Sequence, residues 1–146
     1  MSEQMKTVLV TMIGKSCPEG GGKPEEIRLM TTGTLEKQEK GYVLRYEETD
    51  GDSDEPQPVT LTLSPGQVTM NRTGDYGATL VFGRGQRFDG CYATSFGSLN
   101  MGVFSTRVQW RVEKGEGEVR LKYQLDMQGR FVATHDLTVR FYAQDA

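Results

Sequence analysis

The chain has 146 residues with 18 glycines and five prolines, and a chain of this length is expected to fold as one domain, residues 1–146, without disulfides. The formal net charge is −3 and acidic and basic residues are interspersed, which excludes the basic surface that nucleic-acid binding requires. No segment approaches the ~20 apolar residues of a membrane-spanning helix and the first residues lack signal-peptide features, so we expect a soluble, cytoplasmic protein.

Apolar and polar residues alternate along most of the chain, and no window of a dozen residues follows the helical period. A period of two is typical of β-strands, because successive side chains point to opposite faces of a sheet. Short turns rich in glycine separate the alternating segments, and short connections join antiparallel neighbours. We therefore predict an all-β antiparallel meander with strands near residues 6–14, 27–36, 41–48, 59–64, 67–72, 78–83, 87–94, 104–112, 119–126 and 131–142.

A sheet of about ten strands has to curl or split, and closure into a barrel removes its exposed edges. A sandwich of two sheets also fits the alternation. Within the stretch YATSFGSLNMGVF, residues 92–104, residues 92–99 are interpreted as a turn that ends one strand, reverses at Phe96-Gly97 and begins the next strand at Leu99. A role for Phe96 at a barrel mouth is the alternative. A shift in the phase of the apolar residues predicts a bulge at Gly102.

The last hairpin allows a prediction of register. A three-residue loop, 127–129, with Gly129 in the left-handed conformation pairs Leu125 with Phe131 and Leu121 with His135. This register points His135, the single histidine, toward the interior. It also points toward the core four residues of the last strand: Ala133, Leu137, Val139 and Phe141.

Segments that resemble catalytic or metal-binding motifs lack residues that these motifs require at fixed positions. Asp50, Asp52 and Asp54 begin like a calcium loop, but Glu55 replaces the required glycine and Leu61 the final acid. The acidic segment 47–57 is instead expected to be a solvated loop, with contact to a partner as an alternative. The segments GGGKP and GRGQRF lack the residues and the following helix of nucleotide-binding loops. We predict no metal site, no cofactor and no catalytic residue.

The remaining reactive residues have structural and functional interpretations. The two cysteines are expected to be free thiols, as in a reducing compartment. Cys91 and His135 are interpreted as a buried thiol and a core histidine rather than as a nucleophile and its base. One of Glu47 and Glu48 must point toward the barrel. That carboxyl is either a general acid or a rim residue paired with Arg28, Arg72 or Arg87.

Several aromatic residues are predicted to point inward. A buried tyrosine needs a partner for its hydroxyl, so inward tyrosines indicate either a hydrogen-bonded core or a cavity with polar groups. A barrel of eight to ten strands is of a size that side chains can fill or that can hold one small ligand. The candidate ligand-binding residues are Tyr42, Tyr46, Tyr92, Trp110, Tyr123 and His135.

The chain resembles the YwiB-like family of bacterial proteins, which are small calycin-like (lipocalin-like) β-barrels. The resemblance is carried by VLVTMIGK, TGTLEKQEKGYVLRYEE, VTLTLSPGQVTMNRTG, YATSFGSLNMGVFST and LKYQLDMQGRFVATHDLTV. The family usually has Thr-Pro-aromatic-Gly in the fourth segment, where this chain has Ser95 in place of the proline. The resemblance implies a meandering calycin-like barrel and implies no reaction, cofactor or catalytic residue.

Three functions are consistent with the sequence. The first is a cytoplasmic barrel that binds a small, largely apolar molecule, and calycin-like barrels commonly do so. The second is a protein–protein interaction module with a filled core, including a homo-oligomer formed through an edge strand. The third is an enzyme that uses His135 or Glu47.

Overall fold

The computed structural model describes residues 5–48, 56–73 and 77–143, without the side chain of Thr94. These residues form ten β-strands: β1 Met5–Pro18, β2 Glu25–Lys37, β3 Tyr42–Glu48, β4 Gln57–Ser64, β5 Gln67–Arg72, β6 Ala78–Gly83, β7 Arg87–Thr94, β8 Gly97–Glu113, β9 Glu116–Met127 and β10 Arg130–Ala143. The described part of the chain contains no helix that could span a membrane. The acids at positions 50, 52 and 54 lie outside the described residues.

The ten strands form a closed antiparallel barrel. Each strand pairs with its neighbours in sequence, and the first strand pairs with the last from Val8↔Ala143 to Pro18↔Ala133. This confirms the predicted all-β meander and its closure. The predicted strand limits agree with the observed ones to within a few residues, and β8, predicted to begin at Leu99 after the turn, begins at Gly97 and continues through the alternating segment 104–112.

Side chains fill the middle of the barrel. Alternate residues of each strand point inward, and their apolar side chains form one buried cluster around the barrel axis. Complete burial of a large apolar side chain contributes about 1.5–3 kcal/mol relative to exposure. The largest fully buried side chains include Phe82, Phe141, Leu44, Leu61, Leu63, Met70 and Leu121.

The last hairpin differs from its predicted register. Met127 pairs with Arg130 across a two-residue turn, in which Gln128 (φ 52°) and Gly129 (φ 81°) both have left-handed backbone. A type I′ turn requires this conformation and matches the twist of the strands it joins. A bulge between Phe131 and Ala133 then restores the phase of the strand.

The predicted pairs Leu125–Phe131 and Leu121–His135 are therefore wrong. Leu125 pairs with Ala133, and Leu121 pairs with Leu137. The predicted core side of the strand is confirmed, because its four apolar residues are buried: Ala133, Leu137, Val139 and Phe141.

The hairpin between β7 and β8 turns where predicted, but its details differ. Thr94 pairs with Gly97 across the residues Ser95 and Phe96, and Gly97 has a φ of 114°. The predicted bulge at Gly102 is wrong, because the phase shift lies three to four residues later, between Ser105 and Arg107. At Gly102 the missing side chain leaves room for the guanidinium of Arg87.

Two pairs of neighbouring strands, β2 with β3 and β6 with β7, form ladders of only a few residues. The ladder between β2 and β3 runs from Thr34↔Arg45 to Lys37↔Tyr42, and that between β6 and β7 is the pair Ala78↔Tyr92. At Gly33 the backbone of Arg45 is so close that a Cβ atom would collide with its carbonyl oxygen. Among the described residues, the first half of β2 pairs with β1.

The antiparallel order places strand ends together at two barrel ends. The last residues of the odd-numbered strands and the first residues of the even-numbered strands share one end, which includes Arg72. We name it the Arg72 end and name the opposite end the Trp110 end.

Candidate functional site

The six candidate residues divide between the two barrel ends. Tyr42 and Trp110 lie toward the Trp110 end. The other four lie toward the Arg72 end: Tyr46, Tyr92, Tyr123 and His135. In an antiparallel meander the direction of successive strands alternates, so this division follows from the position of each residue along its strand.

At the Trp110 end the aromatic side chains have partners within the protein. The indole Nε1 of Trp110 donates a hydrogen bond to the carbonyl oxygen of Ser64 at 2.8 Å. The ring of Tyr42 meets the ring of Trp110 edge-on, with a centroid distance of 6.1 Å. Edge-to-face pairs of this kind are favourable. These contacts hold the two half-buried rings together at the Trp110 end.

At the Arg72 end, five side chains form what we name the polar cluster: Tyr46, Glu48, Arg72, Tyr123 and His135. Nη2 of Arg72 lies 3.4 Å from Oε1 of Glu48. The ring of Tyr123 stacks on His135 at a centroid distance of 5.1 Å and contacts Phe82 at 4.8 Å. Strand register places His135 beside Tyr123, so the stacking follows from the observed hairpin.

Three buried polar atoms, two in the polar cluster and one in the middle of β8, have no hydrogen-bond partner among the described residues. They are the hydroxyl of Tyr46, Nε of Arg72 and Oγ of Ser105. Tyr46 is 4% exposed and Ser105 is completely buried next to Tyr123 in the β8–β9 ladder. A buried polar group without a partner costs about 1–3 kcal/mol. Because such groups are rare in folded proteins, each calls for an explanation, and a bound polar group that hydrogen-bonds to it is one.

The surroundings keep the rings of the cluster uncharged near neutral pH. Burial raises the pKa of Tyr46, and the negative charge of Glu48 raises it further. Burial likewise raises the pKa of Tyr123 to about 12. Burial and the positive charge of Arg72 lower the pKa of His135. The cluster thus combines one ion pair with neutral hydrogen-bonding groups, which suits binding of a polar group.

The half-buried apolar side chains beside the cluster provide a nonpolar wall. Leu29, Leu80 and Leu125 pack on the core, and each lies near the Arg72 end of its strand. Tyr92 is also half-buried there, in the pair with Ala78 that joins β6 to β7. Polar groups beside apolar walls are typical of small-molecule sites.

The structure corrects two predictions about reactive groups. Glu47 is exposed, and Glu48 is the glutamate that reaches the barrel side and pairs with Arg72. Of the alternatives left open by the sequence, the structure has the ion pair with Arg72, whereas the exposed Glu47 lies on the opposite face of β3 from Tyr46. Cys91 was predicted to be buried but is exposed, because its strand points it outward.

The described residues therefore do not bring Cys91 to His135, whose ring stacks on Tyr123. Within residues 5–48, 56–73 and 77–143, no group of three or more His, Cys, Asp and Glu side chains is placed to hold a metal ion.

A cleft of about 330 Å³ lies outside the polar cluster, along β7 and β8. It contains Arg87, but this guanidinium lies 2.6 Å from the carboxylate of Asp126 and 3.3 Å from that of Asp89. Its charge is therefore compensated by two carboxylates of the chain.

From the sequence, Arg72 was considered only as an ion-pair partner for a glutamate, and Ser105 was not among the candidate site residues. The signal for Arg72 was present, because it follows Val68 and Met70 on the inward side of β5. Ser105 points inward because it continues the phase of Met101 and Val103 up to the bulge that follows it, whereas the apolar pattern placed the bulge at Gly102.

No curated protein matches the chain. A solved structure, that of the ywiB protein from Bacillus subtilis, resembles the chain with a TM-score of 0.79 and 23% sequence identity, over 99% of this chain and 98% of that one. Residues 10–139 match the family described as domain of unknown function (DUF1934). The strand order and closure described above are thus those of a known barrel fold, and the chain belongs to the DUF1934 family.

Proposed function

We propose that the protein binds a small, largely apolar molecule with one polar group at the Arg72 end of the barrel. The observation that carries the proposal is the hydroxyl of Tyr46, which is buried, uncharged and without a partner, as is Nε of Arg72, whose positive charge acts on this tyrosine. A bound polar group would remove the cost of both. The resemblance to calycin-like barrels supports the same function by analogy of fold.

The chemistry of the cluster restricts the ligand. Nε of Arg72 and the Tyr46 hydroxyl are both able to donate, so the ligand presents an acceptor such as a carbonyl or hydroxyl oxygen. Glu48 already opposes the charge of Arg72, which makes a neutral acceptor sufficient. The apolar part of the ligand would contact Leu29, Leu80 and Leu125. Because the middle of the barrel is filled, the ligand occupies the end and not the centre.

Native mass spectrometry of the freshly purified protein tests this proposal. We expect a noncovalent mass excess that disappears when the same sample is denatured. Tyr46→Phe removes the hydroxyl and is expected to reduce the fraction of protein that carries the ligand. Tyr42→Phe is the matched control, because it removes a tyrosine hydroxyl at the opposite end and should leave that fraction unchanged. A bare protein, or equal loss in both variants, would contradict the proposal.

We also infer that the protein works in the cytoplasm. Cys17 and Cys91 are both free and exposed, and exposed free thiols persist in reducing compartments. Cell fractionation followed by thiol alkylation without added reductant tests this inference. We expect the protein in the cytoplasmic fraction with both thiols alkylated, and a disulfide-linked species would contradict it.

A further inference from the structure

Basic side chains are concentrated on the outer side of β8 and β9. Five of the ten arginines of the chain form an ion pair with a carboxylate of the described residues. Four of the other five lie on this outer side or on the turn between β6 and β7: Arg84, Arg107, Arg111 and Arg120. Lys122 lies among them, directly opposite Arg107 in the ladder. We name these five residues the basic face.

The basic face is not apparent from the sequence, in which acids and bases are interspersed. Alternate residues of a strand share a face, so cations that acids separate along the chain lie side by side in the sheet. Two acids lie beside them. Glu118 is opposite Arg111 but pairs with Arg140 at 2.8 Å, and Asp136 is opposite Lys122 without an ion pair among the described residues. The positive charge of the face therefore exceeds its negative charge.

A turn and a bulge bring Arg84 to Arg107. The N–H of Gly85 donates a hydrogen bond to the carbonyl oxygen of Ser105 at 2.8 Å, and Gly85 has a φ of 72°, which favours glycine. Thr106 is the extra residue of the bulge between Ser105 and Arg107. Both arginines thereby line one cleft of about 210 Å³. Its lining is Arg84, Thr106, Arg107, Val108 and Gln109. Backbone hydrogen bonds of the barrel wall thus fix the place of the two cations.

Without an anion, the charges at this cleft repel one another. Arg107 and Lys122 are directly opposite in an antiparallel ladder, where like charges destabilise a sheet. The turn adds the charge of Arg84 to the same cleft. Within the described residues, none of the three forms an ion pair. A bound anion would remove this repulsion.

We propose that the cleft binds a phosphate group of a soluble compound, with the guanidinium groups of Arg84 and Arg107 on its oxygens. Guanidinium groups match the oxygens of a phosphate in a bidentate way, and such charge-assisted hydrogen bonds are strong. The side-chain amide of Gln109 is a further donor at the cleft. A phosphate group carries a charge of about −1.5 to −2 near neutral pH, so it matches two cations better than a carboxylate does.

The site is separate from the ligand site proposed at the Arg72 end, because it lies on the outside of the barrel and shares no residue with the polar cluster. A soluble compound suits it better than a lipid headgroup. In the described part of the chain, none of the exposed large apolar side chains that would enter a membrane lies on β8 or β9.

Isothermal titration calorimetry with sodium phosphate and with sodium pyrophosphate, at an ionic strength held constant with sodium chloride, tests the proposal. Wild-type protein is expected to bind both and to bind pyrophosphate more tightly. Arg84→Gln and Arg107→Gln should each weaken binding at least tenfold. Arg130→Gln is the matched control, because Arg130 also forms no ion pair in the described residues but begins β10, away from the cleft. Circular dichroism checks that each variant is folded.

Nuclear magnetic resonance locates the site without a variant. Phosphate should shift the amide resonances of Gly85, Thr106 and Gln109, and shifts confined to other residues overturn the proposal. Absence of binding to both anions overturns it, and so does a loss of affinity that Arg130→Gln shares, which would show unspecific screening of charge. Co-sedimentation with phosphatidylcholine vesicles that contain phosphatidic acid separates the two sources of phosphate. We expect none, and vesicle binding that Arg107→Gln abolishes would overturn the soluble source and assign the phosphate to a lipid headgroup.

Discussion

Gly33 marks the closest approach of β2 and β3. A Cβ atom at this position would overlap the carbonyl oxygen of Arg45 and lie 3.1 Å from Cβ of Tyr46 and 3.2 Å from Cγ2 of Val10. These are backbone and inner side-chain atoms, which cannot move away without a cost in the free energy of folding. The contact also positions Tyr46, since it fixes the distance between β2 and the strand that carries the tyrosine.

We therefore predict that Gly33→Ala lowers the free energy of unfolding by about 1–3 kcal/mol, as overpacking of a core does. Gly14→Ala is the matched control on the adjacent strand, because its Cβ atom would have no neighbour closer than 3.7 Å. Urea denaturation of both variants measures the difference. Equal stability of the two variants would show that the approach at Gly33 is not tight.

His135 makes stability depend on pH. Burial and the charge of Arg72 lower its pKa in the folded protein, whereas in the unfolded chain it titrates near ~6.5. Below that pH the unfolded chain binds more protons than the folded one, so stability falls as the pH decreases from ~6.5 toward the folded pKa. The sequence contains one histidine, which isolates the effect.

We expect the free energy of unfolding to decrease between pH 7.5 and pH 5.5 in wild-type protein, these being the pH values on either side of the ~6.5 reference. His135→Asn should lose most of this decrease, whatever its stability at pH 7.5. The comparison is between slopes, so the lost stacking on Tyr123 does not affect it. If both proteins have the same slope, the pKa of His135 is not lowered by folding.

At the scale of elements, the last hairpin shows how a turn and a bulge act together. The two-residue turn alone would direct the wrong face of β10 inward, and the bulge at Val132 corrects the phase. We predict that deletion of Val132 keeps the pairing from Leu125↔Ala133 onward and costs little, roughly the single hydrogen bond that its carbonyl accepts from the N–H of Glu19.

Deletion of Thr138 is the matched control, because it lies in the regular part of β10 and has no bulge to absorb it. Its loss shifts the register of the residues on one side of the deletion by one, so that their buried apolar side chains point outward. Thermal unfolding should show a stable protein for the Val132 deletion and an unfolded or strongly destabilised one for the Thr138 deletion. Similar loss in both would contradict the compensating role of the bulge.

The elements could be predicted because the signal for a strand is local. Alternation along β4, as in Val59, Leu61 and Leu63, identifies both the strand and its inward face. The positions of bulges are not local, since the same apolar pattern permits a three-residue loop or a two-residue turn followed by a bulge. The choice at Gln128–Gly129 depends on contacts with other strands, and Ser105 was missed for the same reason.

At the scale of the whole molecule, the barrel is filled at its middle and polar at one end. Leu121 is completely buried and pairs with Val108 and Leu137. We predict that Leu121→Trp lowers the free energy of unfolding by about 1–3 kcal/mol and leaves the ligand mass excess in place. Leu121→Met conserves volume and should cost less. A tryptophan variant of undiminished stability that loses the ligand would place the cavity at the barrel centre.

A molecule bound at the Arg72 end would hydrogen-bond to the buried polar atoms there. Crystallographic electron density around the Tyr46 hydroxyl, in protein purified without added ligand, tests this proposal. We expect continuous density of an organic molecule within hydrogen-bond distance of that hydroxyl and of Nε of Arg72. Density for water alone, or a rearrangement in which these atoms pair with each other or with protein groups, would contradict it.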